Sequence, residues 1–327
     1  MKYRKLGKTG FQVSEISLGT WQVGGKWGDV FNDANADRII NAAIDSGVNF
    51  IDTADIYSDG LSERAIGRIL RTRKERVYVA TKCGKQLKPH INEAYQPAVL
   101  RKFVEASLKN MNLECLDLIQ MHCPPQEVFY RPEIFELFDR LKKEGKILNL
   151  GVSVEKPEQA LKAIEYENVC TIQIIFNMFR HRPSELFFKE AKRKDIGILA
   201  RVPLASGLLT GKFTKNSVFS GSDHRNFNIN GAAFDKGETF SGIEYAVGLE
   251  AVTKLKAIFP DQYLAAIALK WILMFDEVSC VIPGASTPDQ AIANLKALDL
   301  PELSGEEMAA VKAVYDKFIK NPVHYLW

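Results

Sequence analysis

The chain has 327 residues, 46% hydrophobic and 25% charged, a balance typical of a globular protein with one large core or two ordinary ones. Its formal net charge is only +3, and neither sign is concentrated in one half, so nothing indicates a nucleic acid as partner. No apolar run approaches the roughly 18 residues that a membrane span requires. The N-terminal segment also lacks an apolar targeting core, which predicts a cytoplasmic protein that acts on a small molecule.

The first predicted element is a β-hairpin over Tyr3 to Val13, because Gly7-Lys8-Thr9-Gly10 lies between two short runs of alternating polarity. From there on, short apolar runs alternate with longer segments of helical period, the pattern of parallel strands joined by helices. Eight such strands are predicted to end near Gly19, Asp52, Lys82, His122, Ser153, Phe176, Pro203 and Pro283. The hairpin is expected to close the bottom of the barrel that these strands form.

Two helix boundaries between the strands are marked by glycine residues. The sequence predicts one helix from Asn35 to Ser46 that stops at Gly47, and another from Glu133 to Glu144 that stops at Gly145. Between the seventh and eighth strands, residues 211–242 are rich in Gly, Asn, Asp, Ser and Phe and predict a long loop.

Eight strand and helix units favour an α/β fold, the closed (β/α)8 TIM barrel, over an open doubly wound sheet. No strand is followed by the glycine fingerprint of a dinucleotide-binding sheet, and the cluster Gly24, Gly25 and Gly28 has the wrong spacing. No internal repeat or linker is visible, so residues 1–327 are assigned to a single domain. The five cysteines are odd in number and lack paired-ligand spacing, which predicts reduced thiols and no metal site.

Four ionisable side chains follow the carboxyl ends of the second, third and fourth predicted strands: Asp52, Tyr57, Lys82 and His122. In a barrel these ends form one mouth, where catalytic groups lie. An ammonium beside a tyrosine stabilises its phenolate and lowers a pKa that is ordinarily about 10, and a carboxylate can hold that ammonium charged. The set therefore predicts a proton-donating tyrosine, Tyr57, supported by Lys82 and Asp52, with His122 orienting a carbonyl.

Each of these residues taken singly has a structural explanation, since Asp52 and Lys82 could form a simple ion pair and His122 could be a buried core histidine. The conjunction of four complementary groups at one mouth favours the catalytic interpretation.

In this order the four residues resemble the tetrad of the aldo-keto reductases, with Asp52-Thr53-Ala54 before Tyr57 and Thr81-Lys82 closing the third strand. The resemblance extends from the hairpin through Leu18 to Trp21 and residues 151–153 to Val281 to Gly284. It implies a single barrel that binds a nicotinamide cofactor at its mouth and passes hydride to an aldehyde or ketone.

The resemblance also implies a set of cofactor-binding residues. Ser153 and Gln173 are expected to bind the nicotinamide carboxamide, and Gly19, Thr20 and Trp21 to line the cofactor and substrate side. The pyrophosphate loop is expected at Pro203, Leu204, Ser206, Gly207, Leu209, Gly211 and Lys212. The adenosine half and 2′-phosphate are expected at Gly284, Ser286, Gln290 and Asn294.

Two departures from the family pattern are visible. Many relatives carry Lys or Arg around residues 284–290, whereas Gly284, Ser286 and Gln290 are neutral, so kinship predicts NADPH (NADP) but NADH is compatible. At Arg201 many relatives carry a tyrosine that stacks on the nicotinamide. A guanidinium can also stack, and its charge would then disfavour the oxidised ring and favour the reduced cofactor.

The sequence leaves the carbonyl substrate and the oligomeric state open. Trp21, Trp27 and Tyr57 suggest an aromatic pocket, which the segment from Asn321 to Trp327 could reach. Two other functions remain open. One is a cofactor-sensing regulatory subunit with little turnover, and the other is a lyase or isomerase that uses Lys82 as a Schiff base.

Overall fold

The computed structural model describes residues 1–25 and 29–327, so Trp27 and Gly28 lie outside the described residues. The strands are β1 Tyr3–Lys5, β2 Gln12–Ser14, β3 Leu18–Gly19, β4 Phe50–Asp52, β5 Tyr78–Cys83, β6 Leu116–His122, β7 Ile147–Ser153, β8 Val169–Ile175, β9 Gly197–Arg201 and β10 Val278–Val281. The α-helices are α1 Asp33–Asp45, α2 Leu61–Leu70, α3 Pro97–Met111, α4 Pro132–Lys143, α5 Pro157–Ala163, α6 Phe187–Arg193, α7 His224–Phe227, α8 Tyr245–Ile258, α9 Leu264–Leu273, α10 Pro288–Leu295, α11 Gly305–Val314 and α12 Lys320–Val323.

The strands form two sheets. β1 and β2 pair antiparallel as the predicted hairpin, and β3 to β10 form a parallel sheet in which each strand pairs with its neighbours in the chain. The sheet curls so that its two edges meet: the Ser17 amide donates to Val281 O, and the Gly19 amide donates to Pro283 O, both at 2.9 Å. The predicted (β/α)8 barrel with an N-terminal hairpin is confirmed.

Local sequence explains where the helices begin and end. The Asn32 side chain accepts a hydrogen bond from the Asn35 amide and caps α1, which begins two residues before its predicted start. Gly47 follows this helix at φ 90°, a conformation that glycine adopts without strain. α4 begins at Pro132, whose missing N–H costs nothing in the first helical turn.

The barrel interior is apolar at its lower end. An apolar cluster joins hairpin residues Leu6 and Val13 to inward-facing residues such as Phe50, Leu118 and Leu199. The hairpin therefore closes the bottom of the barrel, as predicted. No helix in residues 1–25 or 29–327 is both long and apolar enough to cross a membrane.

The interior becomes polar towards the carboxyl ends of the strands. Successive strand residues face opposite sides, so Asp52 lies on the same side of β4 as Phe50, and Gln120 on the same side of β6 as Leu118. The same alternation on β9 puts Arg201 on the side of Leu199. The inward row at the upper end consequently contains carboxylate, ammonium, amide and guanidinium groups above an apolar floor.

Candidate active site

The structure brings the four predicted catalytic side chains together at the mouth of the barrel. Lys82 Nζ lies 2.5 Å from Asp52 Oδ1 and 3.5 Å from the Tyr57 hydroxyl, and it also donates to Thr53 O at 2.7 Å. The Tyr57 and His122 rings meet edge to face, with their centroids 6.2 Å apart. This arrangement has the contacts expected of a tyrosine whose hydroxyl is positioned by an ammonium.

Asp52 is held from several sides. Besides the Lys82 ammonium, its carboxylate accepts hydrogen bonds from the side-chain amides of Gln120 at 3.1 Å and Gln173 at 2.7 Å. The Gln173 amide nitrogen, predicted to face a nicotinamide carboxamide, is directed at Asp52 here. The amide oxygen of Gln173 is therefore the atom left to accept a hydrogen bond from that carboxamide.

Burial and neighbouring charge set the protonation states of this group. Burial raises the pKa of Tyr57 above its ordinary value, and Lys82 acts in the opposite direction without cancelling the rise. Burial also penalises a charged Lys82, but Asp52 and Tyr57 together outweigh it, and the pKa of Lys82 stays above its ordinary value. Tyr57 is thus neutral and Lys82 charged at neutral pH, which is the state a proton donor and its support require.

His122 is uncharged in this environment. Burial, together with the positive charges of Lys82, Lys85 and Arg201, lowers its pKa well below the ordinary value. Its Nδ1 is buried and has no hydrogen-bond partner within the described part of the chain. A neutral imidazole with an unsatisfied ring nitrogen can exchange a hydrogen bond with a polar ligand at the mouth.

Arg201 does not lie alone at the mouth. Its guanidinium contacts Glu155 Oε2 at 2.7 Å and Glu238 Oε2 at 3.3 Å, and it lies 3.6 Å from the Cys123 sulfur. The two carboxylates and the sulfur are the kinds of atoms that bind metal ions, and they lie within 4.8 Å of one another. The carboxylates would otherwise attract a cation, but Arg201 already supplies the positive charge that compensates them.

Glu238 belongs to the long loop, residues 211–242, which lies over the mouth. Ser206 Oγ donates to the Glu238 backbone oxygen at 3.0 Å and accepts from the Phe240 amide at 3.1 Å. Farther along the mouth, the His224 ring packs on Trp21 with centroids 4.8 Å apart. The long loop is therefore joined both to the predicted pyrophosphate loop and to the predicted substrate side.

The C-terminal residue Trp327 packs beneath this loop and is only 7% exposed. The Arg180 guanidinium lies 4.3 Å from its ring centroid. A Cβ added at Gly237 or Gly242 would come within 2.7 or 2.5 Å of the indole, so the loop backbone fits directly against the ring. The indole thus supports the part of the loop that carries Glu238.

Trp327→Ala is expected to destabilise the protein by about 3–5 kcal/mol, because it removes a large buried side chain and leaves a cavity under the loop. Urea unfolding of the variant would measure this loss. Tyr325→Ala is the matched control, because Tyr325 is 71% exposed and its loss is expected to change stability little. An equal, small effect of the two substitutions would contradict a supporting role for Trp327.

The predicted pyrophosphate loop, residues 203–212, follows β9. More of its backbone amides are used in internal hydrogen bonds than the sequence led us to expect. The Gly207 and Leu209 amides both donate to Leu204 O, and the Gly211 amide donates to Leu208 O. Leu209 is fully buried, so its side chain belongs to the core. These internal bonds arise because Ser206 and Gly207 adopt positive φ angles and fold the loop into short helical turns.

Val202 lies just before this loop, and Lys212 is its last residue. Val202 has φ 51°, which turns the chain sharply before Pro203. The Lys212 ammonium lies 5.7 Å from the Tyr263 ring centroid at the outer side of the loop. Lys212 is exposed there, so its charge remains accessible to an anionic ligand.

The predicted adenosine-binding residues gather at the N-terminus of α10, beyond β10. The Ser286 amide and hydroxyl donate to Gln290 Oε1 at 2.9 and 3.0 Å, and Asn294 donates to Gly284 O at 3.3 Å. A Cβ at Gly284 would meet nothing closer than 3.9 Å, so the surface above it is open. The loops that follow the last two barrel strands are where barrels of this type bind phosphate groups, and the residues present fit that use.

Gly19 and Thr20 lie beside Asp52, as their position at the first strand end predicts. Gly19 pairs with Asp52 in register, and the Thr20 amide donates to Asp52 O at 3.0 Å. Ser153 lies at the end of β7, where its hydroxyl is 3.4 Å from the Cys123 sulfur. Cys123 follows the strand end in a left-handed conformation, φ 47°, so it reaches the mouth, whereas Cys83 points into the outer core.

Three neighbours of the site were not predicted from the sequence: Gln120, Glu155 and Glu238. Gln120 could have been found, because it lies two residues before His122 on the same strand and strand alternation gives both the same side. Glu155 lies two residues beyond the end of β7, where strand alternation no longer fixes the direction of a side chain. Glu238 offered no such signal, since its place depends on the path of a long irregular loop.

Comparison with known proteins identifies the group to which this architecture belongs. The family model "Aldo/keto reductase family" matches residues 15–316. The chain is 31% identical to aldo-keto reductase YhdN of Bacillus subtilis, covering 99% of this chain and 96% of the relative. It is also 30% identical to the NADH-specific methylglyoxal reductase of Escherichia coli, covering 92% and 94%.

Among solved structures, the glycerol dehydrogenase AKR11B4 from Gluconobacter oxydans aligns with a TM-score of 0.80 and 30% identity, over 98% of this chain and 97% of that one. The family model and these relatives cover nearly the whole barrel, including the strand ends that carry the four predicted catalytic residues. The chain therefore belongs to the aldo/keto reductase family of oxidoreductases.

Proposed function

We propose that this protein is an NAD(P)H-dependent reductase of aldehydes or ketones, with Tyr57 as the general acid. The observation that carries the proposal is the contact of one buried ammonium, Lys82, with both the Asp52 carboxylate and the Tyr57 hydroxyl. Aldo/keto reductases use nicotinamide cofactors, and such a cofactor supplies the hydride when it is bound.

The roles of the chain's own residues follow from their environments. The half-buried, neutral Tyr57 holds the proton that the carbonyl oxygen requires as it becomes an alkoxide. Lys82 places a positive charge beside the phenolate that is left, and Asp52 keeps that ammonium charged and in position. Neutral His122 donates a hydrogen bond that orients and polarises the carbonyl oxygen.

The remaining predicted residues would position the cofactor. Ser153 and the Gln173 oxygen would bind the carboxamide, the 203–212 loop the pyrophosphate, and the α10 N-terminus the adenosine half. The long loop over the mouth would exclude water from the reaction.

The test is loss of reduced-cofactor absorbance with a panel of aromatic aldehydes, diketones and sugars, using NADPH and NADH separately. Turnover that requires both a carbonyl and a reduced cofactor is expected. Tight cofactor binding without turnover of any carbonyl would instead favour a cofactor-sensing subunit. Borohydride trapping of a carbonyl ligand on Lys82 would favour Schiff-base chemistry.

NADPH is expected to bind more tightly than NADH, but by a modest factor of about tenfold or less. Ser286, Gln290 and Asn294 can give a 2′-phosphate neutral hydrogen bonds, which are weaker than a guanidinium fork. Dissociation constants from quenching of tryptophan fluorescence would measure the preference. NADH binding tenfold more tightly than NADPH would contradict this expectation.

A further inference from the structure

The mouth contains two carboxylates that the proposed reaction does not use. Glu155, two residues beyond β7, and Glu238, from the long loop, both contact the Arg201 guanidinium. Their side chains are 11% and 20% exposed, and that of Arg201 is 9% exposed. Three charges thus share one small, mostly buried volume.

This cluster lies within electrostatic reach of the reacting groups. Glu238 contributes to the raised pKa of Tyr57, and Arg201 contributes to the lowered pKa of His122. Glu155 Oε1 and Arg201 Nε are also buried without a hydrogen-bond partner among residues 1–25 and 29–327. The cluster therefore presents unsatisfied polar atoms beside the proposed site of hydride transfer.

The net charge of the cluster depends on Glu238. Although burial raises the pKa of Glu155, Arg201 and Glu238 lower it to about 2, so Glu155 is ionised. Burial raises the pKa of Glu238 to about 7, with Arg201 opposing the rise and Glu155 adding to it. Arg201 and Glu155 cancel, so the cluster is neutral when Glu238 is protonated and carries one negative charge when it is ionised.

A nicotinamide ring carries a positive charge when oxidised and none when reduced. A neighbouring group with a net negative charge stabilises the first form over the second. Resting on the proposed function, we infer that Glu238 is a specificity residue: it sets the site's preference for oxidised over reduced nicotinamide cofactor through the charge that it adds to Arg201 and Glu155.

Glu155 and Glu238 reverse the effect expected from Arg201 alone. A lone guanidinium at this position would repel the oxidised ring, but the structure gives Arg201 two carboxylate partners. With both ionised, the cluster attracts the oxidised ring and stabilises the positive charge that the ring gains when it donates its hydride. With Glu238 protonated, the preference disappears. The long loop brings Glu238 into place, so the effect also depends on the Ser206 hydrogen bonds that hold this part of the loop.

Few other groups at the mouth titrate in the same pH range. Among the described residues, Glu238 interacts electrostatically with Arg201, Glu155, Lys85, Tyr57 and Cys123, and Glu155 in turn interacts with Asp235 and Arg180. Burial raises the pKa of Cys123 to about 12 and that of Tyr57 above its ordinary value, so neither ionises near neutrality. Burial raises the pKa of Asp55, two residues before Tyr57, to about 8, so Asp55 needs a separate control.

The experiment is to measure dissociation constants for NADP⁺ and NADPH from pH 6 to 8 with full-length protein. The cofactor phosphates are common to both forms, so their ionisation cancels in the ratio. For wild type, the ratio of the NADP⁺ constant to the NADPH constant is expected to fall about fivefold as Glu238 ionises. Glu238→Gln is expected to keep the low-pH ratio throughout.

Two control variants make the result specific. Glu244→Gln removes the same charge from an exposed position just beyond the long loop and is expected to retain the wild-type pH dependence. Asp55→Asn removes the second group that titrates near this range and is also expected to retain it. A pH-independent ratio in wild type, or an unchanged pH dependence in Glu238→Gln, would overturn the inference.

A second measurement does not depend on any variant folding. NADP⁺ binding at pH 7 is expected to release a fraction of a proton, because the oxidised ring favours ionised Glu238, whereas NADPH binding releases none from this group. Calorimetry in two buffers of different ionisation enthalpy measures the difference. Equal proton release by the two forms would overturn the inference while leaving the reductase proposal intact, and failure to bind either form would overturn both.

Discussion

Tyr57→Phe is expected to lower carbonyl turnover by about 10²–10⁴-fold while leaving the cofactor dissociation constants within twofold of wild type. The substitution removes the hydroxyl 3.5 Å from the Lys82 ammonium and keeps the ring that packs against His122. A positioned general acid typically contributes a factor of this size. The loss should appear in kcat rather than in cofactor affinity, because the hydroxyl acts on the carbonyl oxygen.

The control for this experiment is Tyr166→Phe. The Tyr166 hydroxyl donates to the Phe129 backbone oxygen at 2.9 Å on the outer side of the barrel, and its ring stacks on Phe135. Tyr166→Phe removes one hydroxyl from a partly buried tyrosine away from the mouth, so full turnover is expected. Turnover in Tyr57→Phe equal to that in Tyr166→Phe would remove Tyr57 from the mechanism and favour a different proton donor.

Much of the barrel could be predicted from the sequence because its strands are buried on both faces. Runs such as Val169–Ile175 are apolar enough to stand out, and each observed strand end lies within about two residues of its predicted position. The meeting of Asp52, Lys82 and His122 then follows from geometry, since parallel strands that close a barrel bring their carboxyl ends to one mouth.

The parts that could not be predicted depend on irregular backbone. The Cys123 sulfur reaches Arg201 because the chain turns left-handed directly after β6, and strand alternation does not apply there. Glu238 meets Arg201 across 37 positions of sequence through a loop without periodicity. Neither contact has a local pattern that a sequence could display. Glu238, together with Glu155, changes the net charge inferred around Arg201.

Protonation states could likewise be predicted only in part from the sequence. The sequence indicates that Lys82 should stabilise a Tyr57 phenolate, and the structure places the two groups in contact. Burial nevertheless outweighs the ammonium and raises the pKa of Tyr57 above its ordinary value. The balance between desolvation and charge requires the packed structure.

The second large effect is expected at the ion pair between Lys82 and Asp52. Their side chains are 1% and 4% exposed, so removing either partner leaves an uncompensated charge in the barrel. Lys82→Met and Asp52→Asn are each expected to lower the free energy of unfolding by about 3–5 kcal/mol, and Lys82→Met to abolish turnover. Unfolding in urea, extrapolated to water, measures the first quantity.

The double variant Asp52→Asn/Lys82→Met separates the pair from its surroundings. If the single losses arise from an unpaired buried charge, the double variant should lose clearly less stability than the sum of the two single variants. Lys5→Met is the matched surface control, because Lys5 pairs with Asp195 at 2.6 Å while both side chains are 53% exposed, and a loss of at most about 1 kcal/mol is expected. Additive losses in the double variant would mean that Lys82 and Asp52 contribute independently, and the support of Tyr57 by a coupled pair would then be wrong.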